Sequence, residues 1–323
     1  MRAVQILGNT SSPRITTNSS IATPVPKGAE ILVRVLAAGV TGDEVTWPEV
    51  YASPSRIPGN EVSGTVRGLG PEYTGRLEVG QDVAALLAAD RAQGGQAEYT
   101  MCLDEEVSRL DPTTISHVEA AALPIPILTA WEALVDYGKL AAGMTILVTG
   151  ASGAVGKLAV QLALKLFDGD DIKVIALASS KNHDALKQLG VHEVHDYDIN
   201  PNWEDNIDNV DLVFDTVGGE VLTKTWKTLK SNNGGTIVTV GDPAPEWAFN
   251  KKIKPKESID HPGVNHIHFI VKPDSHRLSQ ALEMVSQGTI KPLEVESFPF
   301  EEAEQAWERA RQRGRNKKVV ITF

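Results

Sequence analysis

Three glycines with the spacing G-x-x-G-x-x-G follow a run of apolar residues in the stretch ILVTGASGAVG, residues 146–156. The sequence then resumes as KLAVQLALKLF, with a helical apolar period. We predict a strand, a tight turn and a helix whose first N–H groups bind a diphosphate, although a purely structural turn could also be glycine-rich. The predicted cofactor-binding residues of this turn are Gly150, Ser152, Gly153, Ala154, Val155 and Gly156.

A second candidate site follows the next predicted strand, KVIALAS, at the distance expected in a βαβ unit. A site for NAD usually has an acidic residue here for the ribose hydroxyls. This chain has Ser179, Ser180 and Lys181 instead. Two hydroxyls and an ammonium group can bind a 2′-phosphate, so we predict NADP(H) as the cofactor. The alternative is a solvated helix start with an incidental lysine.

Alternating strands and helices must position both candidate sites. Apolar strands such as TILVTG, KVIALAS, DLVFDTV and GTIVTVG are separated by helical segments. This alternation predicts a doubly wound parallel sheet that is buried on both faces. The earlier part of the chain has short strands between Gly and Pro residues, which predicts a β-barrel or a sandwich.

A chain of 323 residues is expected to form two domains. We place a strand-rich domain at residues 1–122, a dinucleotide-binding domain at 123–272, and a C-terminal return to the first domain at 273–323. The segment 242–266 has four prolines and neither period. A loop of this length is interpreted as a functional lid or a disordered patch.

Composition excludes several kinds of partner. The net charge of −11 argues against a nucleic-acid or anionic-membrane surface. The single cysteine, Cys102, rules out an intrachain disulfide and a cysteine-rich zinc site, and it is typical of a reducing compartment. With no apolar leader and no run of 18 apolar residues, we expect a cytoplasmic protein that acts on a small molecule.

Several motifs in a fixed order resemble the medium-chain dehydrogenase/reductase superfamily over nearly the whole chain. They are PGNEVSGTV, VGQDVAAL, AEYTMC, EAAALP, LTAWEAL, VTGASGAVGKLAVQLA, DTVGGE and KKVVITF. The resemblance implies an α/β fold, with a Rossmann-type doubly wound parallel sheet plus a GroES-like β-barrel domain. Among the branches, the chain is most similar to the zinc-independent quinone oxidoreductase-like and enone (enoyl) reductase group.

The sequence departs from the zinc alcohol dehydrogenases of this superfamily at the metal ligands. Thr41 stands where those enzymes have a cysteine, and Asn60 stands where they have the histidine of GHE. The stretch ALPIP, near the expected third ligand, contains no thiol. Because zinc requires N or S ligands in a tetrahedral array, we predict no metal site and zinc-free hydride transfer to an electron-poor acceptor.

The resemblance also implies roles for individual residues. It places Tyr51 and Thr129 near the nicotinamide, where their hydroxyls could bind a substrate carbonyl; packing and helix capping are the alternatives. Four further residues are assigned to the cofactor by resemblance, and ordinary turn geometry would explain the two glycines equally well. They are Tyr197 beside the 2′-phosphate, Gly218 and Gly241 at strand ends, and Phe269 near the carboxamide.

The pattern H-x4-H-x-H at His261, His266 and His268 superficially suggests a metal site. His266 and His268 lie on a predicted strand without acidic support, so we interpret them as packing residues.

Three functional hypotheses follow. The first is an NADPH-dependent, zinc-free reductase of a quinone or an α,β-unsaturated carbonyl. The second is an enoyl reductase acting in trans on a polyketide or other biosynthetic intermediate, and the third is an NADPH-binding protein with lost or non-redox activity. By analogy with the superfamily, a homodimer formed through the edge strand IHFIVK is a further expectation.

Overall fold

A computed structural model describes residues 1–53, 55–89, 91, 93–167, 171–230, 234–250 and 252–323 of the chain. The chain divides into two compact units. We call Met1–Leu128 with Lys272–Phe323 the antiparallel unit, and Thr129–Val271 the parallel unit.

The antiparallel unit begins with seven strands and a short helix, followed by a helix that continues into the parallel unit. These are β1 Ala3–Asn9, β2 Ser12–Asn18, β3 Ile31–Gly39, β4 Glu61–Leu69, β5 Asp82–Leu86, β6 Tyr99–Cys102, β7 Val107–Arg109, α1 His117–Ala120 and α2 Pro124–Trp131. Proline is tolerated in the first helical turn, whose N–H groups have no intrahelical acceptor. Pro124 and Pro126 lie in the first turn of α2 and do not interrupt the helix.

The parallel unit alternates strands and helices, as the sequence predicts. Its elements are β8 Thr145–Thr149, α3 Ala154–Leu166, β9 Lys173–Leu177, α4 His183–Gln188, β10 Glu193–His195, β11 Leu212–Asp215, α5 Gly219–Thr225, β12 Thr236–Thr239 and β13 Asn265–His268. A turn of π-helix, Glu132–Tyr137, follows α2. All pairs in this six-stranded sheet are parallel. Nearly every residue of β8, β9, β11 and β12 is buried, because helices cover both faces of such a sheet.

Four C-terminal elements return to the antiparallel unit: α6 Ser275–Ser286, β14 Val295–Pro299, α7 Ala303–Arg311 and β15 Lys318–Thr322. β15 pairs with β3, and the larger sheet has the order β14-β15-β3-β4-β5-β7, with β6 paired to β3. One apolar core of this unit packs α7 against β1 and β15 through Val4, Trp307 and Ile321.

The described part of segment 242–266 has only two short 3-10 turns, Glu246–Ala248 and Lys256–Ile259, before β13. Aromatic contacts hold it. The ring of His266 lies 5.0 Å from that of Trp247 and 5.6 Å from that of Trp226. His268 packs edge-on against Phe249 at 5.2 Å. These histidines therefore have aromatic packing partners.

Cys102 ends β6 and is fully buried. Burial raises the pKa of its thiol far above the ordinary value. Within the described ranges, the helices are all too short or too polar to cross a bilayer.

Candidate functional site

The order of strands in the parallel sheet is β10-β9-β8-β11-β12-β13. From β8 the chain proceeds outward through β9 to β10 and then returns to the other side of β8 with β11. The direction of winding therefore reverses between β8 and β11. Ligands of doubly wound sheets bind outside the carboxyl ends of the strands at such a point. The glycine turn that follows β8 lies there.

Two of the three turn glycines are required by the protein's own packing. Gly150 has φ +61°, and a Cβ added to it would lie 2.3 Å from the side-chain oxygen of Thr216. A Cβ on Gly156, in the first turn of α3, would lie 2.3 Å from the carbonyl oxygen of Gly150. Glycine at these positions therefore lets the helix and the neighbouring strand approach the turn.

Gly153 has a different environment. It precedes α3 with φ −74° and ψ 173°, a conformation open to any residue. Among the described atoms outside its chain neighbours, a Cβ there would have one contact within 4 Å, at 3.2 Å from the carbonyl oxygen of Gly150. No side chain of Gly153 can cap α3, and the first N–H groups of a helix have no intrahelical acceptor. This bare helix start fits a diphosphate that approaches the backbone closely.

Asp215, the last residue of β11, joins the carboxyl ends of three adjacent strands. Its carboxylate is fully buried. Oδ1 accepts a hydrogen bond from the hydroxyl of Thr149 on β8, and Oδ2 accepts one from the hydroxyl of Thr239 on β12, each at 2.6 Å. The N–H of Gly218 donates to Oδ2 at 3.0 Å, and the N–H of Val217 donates to Oδ1 at 3.2 Å.

The turns after these strands are also in direct backbone contact. Gly218 has φ +79°, and a Cβ on Gly241 would lie 2.2 Å from the nitrogen of Gly218. The N–H of Gly241 donates to the hydroxyl oxygen of Thr239 at 3.0 Å, and the N–H of Thr216 donates to that of Thr149 at 3.2 Å. Gly150, Gly218 and Gly241 thus lie at one rigid edge of the sheet.

Sequence reasoning found the glycines of this edge but missed Thr149, Asp215 and Thr239. A signal exists, because each is a polar residue at the last position of an otherwise apolar strand, in TILVT, LVFD and TIVT.

The predicted 2′-phosphate residues lie at the carboxyl end of β9. Ser180 and Lys181 are exposed in a 3-10 turn, Ser180–Asn182, and Ser179 precedes it as N-cap. The hydroxyl of Ser179 accepts a hydrogen bond from the side-chain amide of Asn182 at 3.1 Å. Both side chains are thus solvent-accessible at the carboxyl end of β9.

Asp196 follows the adjacent strand β10 and was not singled out from the sequence. Burial raises the pKa of Asp196, but hydrogen bonds from the N–H groups of Asp198 and Ile199 and from Ser180 outweigh it and lower the pKa. A charged carboxylate therefore contacts Ser180, which opposes a phosphate there and leaves Lys181 as the favourable charge.

Tyr197 and Phe269 differ in exposure. The side chain of Tyr197, the residue after Asp196, is 43% exposed. Phe269 is buried just after β13, with its ring 4.9 Å from that of Tyr137.

The two predicted catalytic hydroxyls lie on different elements. Tyr51 is on a 3-10 turn, Pro48–Ala52, in the antiparallel unit, and its hydroxyl donates to the carbonyl oxygen of Val45 at 2.7 Å. Burial raises the pKa of the Tyr51 phenol, so it is a donor at neutral pH. Thr129 is buried on α2, at the start of the parallel unit.

A buried charge cluster, formed by Glu44, Arg56, Glu61 and Lys318, lies in the antiparallel unit. Glu61 forms an ion pair with Lys318 and accepts the N–H of Ile125 at 3.0 Å. Both oxygens of Glu44 accept the N–H of Gly59, at 3.0 and 3.1 Å, and Arg56 Nε lies 4.0 Å from one of them. Burial raises the pKa of Glu44 to about 7.

Asn60 and Glu61, of the motif that resembles the zinc-ligand motif, have partners within the protein. The side-chain amide of Asn60 donates toward the carbonyl oxygens of Leu87 and Ala88, at 3.4 and 3.3 Å. Its neighbour Glu61 is engaged by Lys318. Across the part of the chain that the structure describes, no group of three His, Cys, Asp or Glu side chains could hold a metal ion.

Two family models match the chain: "Alcohol dehydrogenase GroES-like domain" at residues 27–112 and "Zinc-binding dehydrogenase" at residues 189–321. A "Probable zinc-binding oxidoreductase, mitochondrial" of Arthroderma benhamiae is 31% identical, over 93% of this chain and 90% of its own. A 2-methylene-furan-3-one reductase of Solanum lycopersicum is 30% identical, over 87% of this chain and 68% of its own. The structure of the quinone oxidoreductase from Coxiella burnetii is 23% identical, with a TM-score of 0.82 over 100% of this chain and 99% of its own.

The fold and its site define an oxidoreductase built from a GroES-like domain and a Rossmann-type nucleotide-binding domain. The chain belongs to the medium-chain dehydrogenase/reductase superfamily, whose members bind nicotinamide cofactors. The predicted family and fold class are confirmed.

Proposed function

We propose that this protein is an NADPH-dependent, zinc-free reductase that transfers hydride to a quinone or an α,β-unsaturated carbonyl compound. The observation that carries the proposal is the bare start of α3 at the point where the sheet reverses its winding. A Cβ on Gly153 would meet a single described atom beyond its chain neighbours, the carbonyl oxygen of Gly150 at 3.2 Å, and the backbone conformation of Gly153 does not demand glycine. A bound diphosphate accounts for a glycine there.

The preference for the phosphorylated cofactor is supported by charge. Lys181 and Ser180 are exposed at the carboxyl end of β9, where a 2′-phosphate would lie. Asp196 contributes an opposing charge next to Ser180. We propose that Lys181 decides the preference, because its ammonium group attracts a phosphate, whereas NADH has none.

The acceptor is inferred from the site residues rather than from the cofactor. When bound, the reduced nicotinamide supplies a hydride. Thr41 and Asn60 stand at the positions that the resemblance assigns to zinc ligands, and neither side chain supplies the N or S ligand that zinc would need to polarise an unactivated carbonyl. We therefore propose an acceptor that is already electron-poor. One relative is named for 2-methylene-furan-3-one, in which a carbon–carbon double bond is conjugated with a ketone.

Tyr51 and Thr129 are our proposed donors to the acceptor's carbonyl oxygen, on the basis of the resemblance. A hydroxyl can stabilise the negative charge that develops on that oxygen as hydride is added to the conjugated carbon. The hydroxyl of Tyr51 already donates to a carbonyl oxygen, that of Val45. It would have to turn from this acceptor to a substrate.

Stopped-flow measurement of NADPH absorbance with a panel of quinones and enones tests the proposal. We expect oxidation of NADPH by at least one acceptor of the panel, with NADH slower, and an unchanged rate after dialysis against EDTA. A rate that falls on metal removal and returns with zinc would contradict the zinc-free chemistry. NADPH binding without oxidation by any acceptor would instead favour a non-redox protein.

A further inference from the structure

The carboxyl group of Asp215 is unusual because it is fully buried, and burial of such a polar group costs free energy. Its side chain is fully removed from water, which is tolerated only when hydrogen bonds replace the lost hydration. Two hydroxyls and the N–H groups of Val217 and Gly218 provide them. The donors come from β8, from β12 and from the turn after Asp215 itself.

Both oxygens of Asp215 act as acceptors in this network. An aspartate has two acceptor oxygens and no donor, whereas an asparagine has one oxygen and one amino group. Hydroxyl and N–H donors face both oxygens of Asp215. An amide in either orientation would therefore bring its amino group against donors.

The carboxylate also fixes the direction of the neighbouring hydrogen bonds. Because Thr149 and Thr239 donate their hydroxyl protons to Asp215, their oxygens are left to accept the N–H groups of Thr216 and Gly241. Two chains of hydrogen bonds, one through Thr149 and one through Thr239, therefore link this carboxyl group to the backbone of the turns after β11 and β12. The side-chain hydroxyl of Thr216 in turn donates to the carbonyl oxygen of Thr149, immediately before the glycine turn, at 2.9 Å.

We propose that Asp215 is a positioning residue for the dinucleotide: through Thr149 and Thr239 it sets the backbone of the three turns against which the cofactor lies. The inference rests on the proposed function, since it presumes a dinucleotide at this edge. It assigns to Asp215 no contact with the cofactor. It predicts that the two hydroxyls control cofactor affinity although both are buried beneath the edge.

Paired substitutions at the two threonines test this role. Thr149→Val and Thr239→Val keep the side-chain shape but remove the hydroxyl, whereas Thr149→Ser and Thr239→Ser keep the hydroxyl. Calorimetric titration with NADPH is performed at a temperature at which circular dichroism shows each variant folded. We expect each valine variant to raise the Kd for NADPH about tenfold, and each serine variant to stay within about twofold of the wild type.

The outcomes separate this inference from the function on which it rests. Wild-type protein that binds no NADPH would overturn the proposed function, and the positioning role with it. Wild-type protein that binds NADPH, with valine variants that bind equally well despite a lower Tm, would overturn the positioning role alone. If neither valine variant folds, Asp215→Asn is examined in the same way, and unfolding of all three assigns the network to stability and also overturns the inference.

Discussion

Opposite charges lie at the neighbouring ends of β9 and β10. Lys181 is exposed, while Asp196 is buried and held in its charged form by the backbone N–H groups that follow it. A carboxylate near a ribose favours its free hydroxyls, and an ammonium group favours a phosphate on one of them. We therefore expect the opposite charges of Lys181 and Asp196 to influence the preference between NADPH and NADH.

The first prediction is that Lys181→Glu raises the Kd for NADPH about tenfold or more and leaves the Kd for NADH nearly unchanged, because it removes an attractive charge and adds a repulsive one. Fluorescence titration with both cofactors measures the ratio. Lys187→Glu is the matched control, since Lys187 is an exposed lysine on α4. Equal ratios for Lys181→Glu and the control would defeat the argument for a 2′-phosphate site.

At the scale of elements, two glycines of the turn between β8 and α3 have different roles. Gly156 is needed for packing, and we assign Gly153 to cofactor binding. A Cβ on Gly156 would lie 2.3 Å from the carbonyl oxygen of Gly150, whereas a Cβ on Gly153 would lie 3.2 Å from the same atom. A methyl group at Gly156 must move the helix away from the turn. A methyl group at Gly153 needs only a slight adjustment of the protein but enters the space assigned to the diphosphate.

The second prediction therefore concerns both glycines. We expect Gly156→Ala to lower the free energy of unfolding by about 1–3 kcal/mol. We expect Gly153→Ala to fold with nearly unchanged stability but to bind NADPH and NADH about tenfold more weakly. Urea denaturation and calorimetry measure the two quantities.

Gly263→Ala is the control, because Gly263 has only ordinary contacts, at 3.5 Å or more, near the opposite end of the sheet, before β13. Cofactor affinity that is the same in Gly153→Ala as in this control would remove the main support for a diphosphate at α3.

The glycine turn could be predicted from the sequence because its residues are covalent neighbours and their spacing fixes the geometry. The Asp215 network could not, because its partners lie 66 residues before it and 24 residues after it. Their meeting depends on β11 inserting beside β8, which strand patterns do not specify. Asp196 was missed for a similar reason, since it contacts Ser180 across two strands whose pairing the sequence leaves open.

At the scale of the whole molecule, the buried charge cluster links stability to pH. Glu44 has a pKa of about 7 in the folded protein, raised by burial and by Glu61, although the N–H of Gly59, Arg56 and Lys318 oppose the rise. The folded state thus binds this proton more tightly than the unfolded state does. Its contribution to stability is complete below the unfolded pKa, near 4.5, and is lost as pH rises through 7.

The third prediction is that Glu44→Gln, which mimics the protonated side chain, nearly matches the wild type in stability at about pH 4 and exceeds it by about 3 kcal/mol at about pH 8. Urea denaturation across this pH range measures the difference. Glu308→Gln, at an exposed position on α7, is the control and should show no such divergence. Parallel pH profiles for the wild type and Glu44→Gln would show that burial does not raise the pKa of Glu44.

The burial of Cys102 has a practical consequence. The chain's single thiol is enclosed at the end of β6, with its pKa raised, so alkylating reagents should react with it very slowly while the protein is folded. A cysteine introduced at an exposed position, such as Tyr197, would then be the preferred point of attachment for a maleimide dye. Fluorescent reporters of ligand arrival can be built on the native background, without first replacing the natural thiol.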